Sequence, residues 1–299
     1  RAVATLADFP LTVSQSFELR LVDADGRANK VPDLFVFEAF PNRPPEMKLT
    51  APRGDLQPSA LEEIEFQGTA WDDFGVLAFG IGLAHGGEEA QIMELGRDVP
   101  AKEKAAFRHL LQLEALGAKP DELYSWFVWA DDIGPDGQRR RTQGDLFFAE
   151  VRPFDEIFQE GAGMEGGEQE SNQAAAGGAG GAPATRLAEL QKQIINATWK
   201  LQRSAPAGES YAKDAEVVRD SQQQALEQAK SMAGEVEEPM RAAQWSAVTG
   251  EMEKAVSKLA EAPAAPAVLP EALVAEQSAY QALLKLRERE TEVNRSRRP

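Results

Sequence analysis

The chain changes character once, near residue 160, and that break limits what it can fold into. All 14 Phe and three of the five Trp, namely Trp71, Trp126 and Trp129, precede it, together with 11 of the 18 Pro. Beyond it the sequence is rich in Ala, Gln, Leu and Glu. Aromatic residues punctuated by proline favour strands, whereas Ala, Gln and Glu favour helix. Between the two lies Gly161 to Pro183, with eight Gly in its first 21 positions and no periodic apolar pattern. Such a tract is expected to be a flexible linker with a root-mean-square span of roughly 25 Å, letting the flanking halves act independently. The expected fold is therefore multidomain, all-β followed by all-α.

Within the first half, short apolar alternations separated by turn residues recur at the spacing of an immunoglobulin- or fibronectin-like β-sandwich. Ser16–Val22 and Asp33–Phe40 read as two strands, followed by the stiffening Pro41-Asn42-Arg43-Pro44-Pro45. Two strands do not make a stable domain, so residues 1–43 are expected to be the last strands of a preceding sandwich, or else an edge addition to the next domain. Residues 44–156 read as one complete sandwich, with strands near Met47–Thr50, Ile64–Trp71, Val76–Leu83, Ala90–Leu95, Phe107–Leu113, Tyr124–Ala130 and Asp145–Val151. Tyr124–Trp129 is apolar on both faces apart from Ser125, as in a central strand facing an opposing sheet, with Trp126 as a core anchor.

Residues 157–183 are the expected linker and 184–299 a helical region of about four helices. Leu187, Leu190, Ile194, Ala197 and Leu201 recur at alternating spacings of three and four, as do Trp245, Val248, Met252, Ala255 and Leu259. That is the seam of helices that pair. Two further helices fit Ser210–Ala233 and Glu271–Arg295, with breaks at Ala205–Gly208, Gly234–Pro239 and Ala262–Pro270. Short connections predict an antiparallel bundle or coiled-coil hairpins. The charged end, Lys285–Glu290 and then Asn294–Pro299, reads as a solvated helix face with bases at the negative end of the dipole.

Chemistry is sparse. A net charge of −17 repels nucleic acid phosphates and anionic lipid heads. Zero Cys removes disulfides, thiolate nucleophiles and Cys-ligated zinc, and the two His, His85 and His109, stand in no triad or zinc motif. A literal G-x-G-x-x-G at Gly161–Gly166 lies in the low-complexity tract rather than between a strand and a helix, so it does not read as a nucleotide loop. No catalytic set is present, and the chain is expected not to be an enzyme. Adjacent carboxylates do follow strands, at Asp72-Asp73 and Asp131-Asp132, the latter with Asp136 in Asp131–Gly137. These loops carry the one alternative reading, a calcium- or glycan-binding β-module, since calcium takes six to eight oxygen ligands. Asp23–Gly26 fails the EF-hand template, because Leu34 stands where its last ligand should be.

Three strings, Thr69–Val76, Leu146–Phe154 and Leu190–Leu201, occur in an order that resembles a family of large bacterial envelope proteins of unknown function. Members of that family combine immunoglobulin-like repeats, a Gly/Gln-rich tether and a long helical, coiled-coil-prone region, and are membrane-anchored. The resemblance implies architecture and a periplasmic or envelope address; it carries over no functional residues and no cofactor. It also implies that this sequence is an internal piece of a longer protein, with no membrane contact of its own. The expected role is that of a structural or interaction protein whose helical region docks a protein partner or self-associates. The candidate contact residues are Leu187, Ile194, Trp199, Leu201, Trp245, Met252, Leu259 and Tyr280.

Overall fold

The computed structural model describes residues 13–153, 183–204 and 209–296, besides positions 5, 9 and 11, with side chains described through Arg287. Almost all of the expected linker 157–183, with its G-x-G-x-x-G string, lies outside the described residues, as do the break at 205–208, residues 297–299 and the side chains of the charged end after Arg287. Among the described residues ten strands precede four helices, so this part of the chain is β-rich and then α.

The first two strands, β1 (Gln15–Leu19) and β2 (Asp33–Phe37), form an antiparallel pair by themselves. The next eight build two antiparallel sheets. One is three-stranded, in the order β3 (Glu46–Ala51), β4 (Glu63–Trp71), β7 (Lys104–Gln112). The other centres on β8 (Leu123–Ile133) and runs β10 (Phe147–Glu150), β8, β5 (Val76–His85), β6 (Gln91–Val99). A fifth strand, β9 (Arg139–Gln143), pairs with the far end of β8. Alternation puts Ile64, Phe66, Phe107 and Leu111 of the smaller sheet against Phe79, Ile81, Trp126 and Val128 of the larger one in a shared core. Trp126 sits at its centre, edge-on to Phe66 and stacked on Phe147. Seven strands were expected here and eight form: β9 escapes an apolar-alternation reading because Arg-Arg-Arg-Thr-Gln has no apolar residue.

The helices are α1 (Pro183–Ser204), α2 (Glu209–Gly234), α3 (Pro239–Glu261) and α4 (Leu269–Ser296). Proline opens α1 and α3, where its missing N–H costs nothing, and a 3₁₀ turn at Pro266–Val268 leads into α4. Each helix packs on its neighbours in sequence and α1 packs on α4, closing a ring of four.

The two halves are not independent, contrary to what the glycine-rich tether suggests. Leu123, Phe127 and Trp129 of β8, with Leu146 and Phe148, belong to the same apolar cluster as the helix residues Leu187, Trp199, Tyr280 and Leu284. Strand β8 is buried along nearly its whole length because its even-numbered residues face the smaller sheet and its odd-numbered ones face α1 and α4. The result is three layers. Even Ser125, the polar exception, is matched: its hydroxyl donates to Gln277 Oε1 at 2.9 Å. At the β5–β6 tip, Gly87 has φ +86°, and a Cβ there would lie 2.2 Å from Ser278 Oγ of α4, so only glycine admits this close approach.

Candidate functional site

Three places concentrate polar chemistry or unpartnered surface. The first is the acidic end of β8. Asp131 and Asp132 are fully buried within the strand rather than displayed on a loop, and they pair in register with Arg141 and Arg140 of β9. Arg141 grips Asp131 through Nε and Nη2, both at 2.8 Å, and Arg139 reaches the same carboxylate at 2.9 Å. Burial raises the Asp131 carboxyl, but the hydrogen bonds from Arg141 and Arg139 outweigh it and hold the group below the ordinary carboxylate range. Arg140 grips Asp132, and its Nη2 also donates to Asn42 Oδ1 at 2.9 Å and the Arg43 carbonyl at 2.7 Å. The ladder thus ties the proline-rich segment to the sheet. Asp136 lies in the β8–β9 turn, where its Oδ1 accepts the Gln138 N–H.

Asp72, at the end of β4, is also buried. Burial raises its carboxyl above the ordinary value although Oδ2 accepts the Phe74 N–H at 2.8 Å, with Asp132 and Asp73 adding repulsion. One oxygen of Asp72 and one of Asp73 are buried without a partner among the described residues. No group of three or more His, Cys, Asp or Glu side chains is placed to hold a metal among the described residues, and arginines already occupy Asp131 and Asp132. We expect the melting temperature to be the same in millimolar calcium as in chelator; a rise of several degrees would put a cation on Asp72 and Asp73 after all.

The second place is the helical interior and its junction with the sheet. The eight residues singled out for contact are all buried: Leu187, Ile194, Leu201, Trp245, Met252 and Leu259 among the helices, Trp199 and Tyr280 against the sheet. Trp199 packs on Phe127 with ring centroids 4.6 Å apart, and its indole N–H donates to the Gly144 carbonyl at 3.0 Å. Tyr280 donates to the buried carboxylate of Glu150, which also receives Arg287 at 3.0 Å and lies 4.0 Å from Lys192. Burial, and then the Glu150 charge, push the Tyr280 hydroxyl well above its ordinary value. Gln281 Oε1 accepts the Leu123 N–H at 2.6 Å, capping the start of β8.

Inside the helical ring, Gln191 and Gln222 exchange hydrogen bonds at 2.9 and 3.0 Å. Beside them Glu276 is completely buried, with Thr198 Oγ 2.7 Å from its Oε1 and no partner on Oε2 among the described residues. Burial pushes its carboxyl up to about 8, the Thr198 contact opposing this only in part. Sequence periodicity passes over this cluster because Gln, Thr and Glu do not score as apolar.

The third place is the β1–β2 pair. Every residue of β2 is exposed, although four of its five are apolar. Phe17, Leu19, Phe35 and Phe37 share one face by register, with Phe9 edge-on to Phe17 at 5.4 Å and Phe37 to Phe17 at 5.7 Å. The opposite face mixes Leu34 and Val36 with Ser16 and Glu18. Among the described residues no helix is long and apolar enough to cross a membrane. No protein-family model matches the chain, and no curated protein sequence matches it significantly.

Proposed function

We propose that this chain is a non-catalytic structural and interaction protein of the bacterial cell envelope, in which an immunoglobulin-like sandwich acts as a spacer and antiparallel helical hairpins brace it. The exposed aromatic face of β1–β2 carries this reading. Phe35 and Phe37 stay 47% and 44% exposed on a two-stranded sheet that has no covering layer among the described residues. A contiguous apolar patch of this kind marks a protein contact, and an isolated pair of strands gains its stability from what packs on it. The envelope address is supported by the strings Thr69–Val76, Leu146–Phe154 and Leu190–Leu201.

The docking role moves accordingly. The helical seam residues are engaged inside the chain, and among the described residues the helices show apolar side chains such as Val217 and Met240 scattered on their outer faces. The arginine-held carboxylates of β8 take Asp131 and Asp132 out of the acidic-loop reading, which rests on the two unpartnered oxygens of Asp72 and Asp73 alone.

A photo-crosslinking residue placed at Phe35 or Phe37 tests this in bacteria expressing the full-length protein. We expect one reproducible adduct with another protein, lost on Phe17→Glu, and none from a crosslinker on the exposed outer face of α2 at Val217. Adducts only within the chain, or equal adducts from both positions, would overturn the assignment.

A further inference from the structure

We propose that the cleft between β9 and the C-terminal half of α1 binds a small anionic ligand through its carboxylate or phosphate groups. The cleft has a volume of about 990 Å³, the upper end of the range for small-molecule sites, ~300–1,000 Å³. Its charged lining runs against the rest of the molecule. On a chain of net charge −17, Arg140, Arg141, Lys200 and Arg203 line it with a single carboxylate, Asp145; Arg141 shares the helix-facing side of the sheet with Asp131, whereas the Arg140 guanidinium is held on the other side by Asp132.

Part of that charge has a structural explanation. Bases in the last turns of α1 answer the negative end of the helix dipole, and Arg203 pairs with Asp145. Arg140 and Arg141 neutralise Asp132 and Asp131, which lie behind them in the sheet with Asp72 beyond. The arrangement nonetheless leaves donors unspent. Asp131 takes Nε and Nη2 of Arg141, and Asp132, Asn42 and the Arg43 carbonyl take Nε and Nη2 of Arg140. On the side facing α1, Nη1 of Arg141 has no partner among the described residues, and Lys200 has no carboxylate partner among them either. Arg141 is further fixed by lying over the Trp129 ring, 4.1 Å from its centroid.

The Arg141 guanidinium is therefore immobilised before any ligand arrives, and Lys200 and Arg203 add charge to it from α1. The ordering cost that weakens most exposed ion pairs is already met by the fold, and a planar guanidinium held on one edge presents its other edge to a carboxylate or phosphate oxygen. The apolar part of the wall, Trp199 and Leu146, excludes water from one side of the contact, which strengthens it.

The test is a titration of the purified chain at constant ionic strength with citrate and, separately, with inorganic phosphate, followed by calorimetry and by tryptophan fluorescence, since Trp199 lines the cleft and Trp129 lies beneath Arg141. Saturable binding is expected with at least one probe. It should weaken about tenfold or more in the Lys200→Ala/Arg203→Ala double variant and stay unchanged in Lys230→Ala, on the distant α2. Response to citrate alone assigns a carboxylate ligand and response to phosphate alone a phosphorylated one; either supports the site. No saturation with either probe, or equal affinity in the double variant, overturns it. If circular dichroism shows the double variant unfolded, Lys200→Gln alone is read by the same criteria.

Discussion

Glu276→Gln should make the protein more stable at pH 9 while leaving it little changed, or slightly weakened, at pH 5. The carboxyl is completely buried in the helical ring and titrates near 8, against an ordinary value of 4.5 that the unfolded chain regains. Its folded value is thus raised. The stabilisation is complete below about pH 4.5 and is lost progressively as pH rises toward 8, because over that interval the folded state holds a proton that the unfolded state has released. The slope is about 1.4 kcal/mol per pH unit, so the loss amounts to a few kcal/mol. Geometry supports the neutral form independently. Thr198 Oγ lies 2.7 Å from Glu276 Oε1 and 3.1 Å from the Ile194 carbonyl, yet a hydroxyl has one proton to give. A protonated Glu276 supplies the second by donating to Thr198, and a glutamine amide can do the same. Urea unfolding at pH 5, 7 and 9 should show a falling wild-type stability and a nearly flat variant, separated by about 2–4 kcal/mol at pH 9. Parallel curves for the two proteins would mean that Glu276 is ionised in the fold.

The helices were legible from the sequence because periodicity and breakers agree. The stripe of Trp245, Val248, Met252, Ala255 and Leu259 is buried residue for residue, and Gly234, Pro239 and the prolines of Ala262–Pro270 fall where helices end or begin. Strand β9 was hidden because its partner is a charge pattern: three arginines matched to two aspartates across a hairpin. That signal was available in Asp131-Asp132 followed by Arg139-Arg140-Arg141, had opposite charges eight to ten residues apart been read as a cross-strand ladder. The third layer has a signal of its own in β8. An antiparallel strand with one solvated face alternates apolar and polar residues, and Tyr124–Trp129 does not. Its uniform hydrophobicity already required covers on both sides, and the second cover is helical. A flexible tether reports only how two segments are joined; whether they pack depends on the faces they present, and Trp199, an aromatic residue outside the Leu187–Leu201 seam, packs on the sheet for that reason.

The coupling of helices to sheet gives the other large effect expected, in Trp199→Ala. The indole fills the junction between α1 and β8, 7% exposed, against Phe127 and hydrogen-bonded to Gly144. Truncating a buried Trp to Ala costs about 3–5 kcal/mol, and here it also strips the cover from Phe127. For a chain of this size that corresponds to a melting temperature lower by roughly 10 °C. The shape of the transition is more diagnostic than its midpoint. In the wild type, far-ultraviolet circular dichroism, dominated by the helices, and the near-ultraviolet aromatic signal, to which Trp126 of the sheet core contributes, should report one coincident transition, since one apolar cluster spans both layers. In Trp199→Ala the helical signal should be lost first, the sheet core around Trp126 surviving because it is closed by the smaller sheet and not by the helices. Trp199→Phe should restore coincidence, at a residual cost near 1 kcal/mol for the lost hydrogen bond to Gly144. Two separate transitions already present in the wild type would show that the helices and the sheet fold as independent units, and would return the tether to the role its glycines suggest.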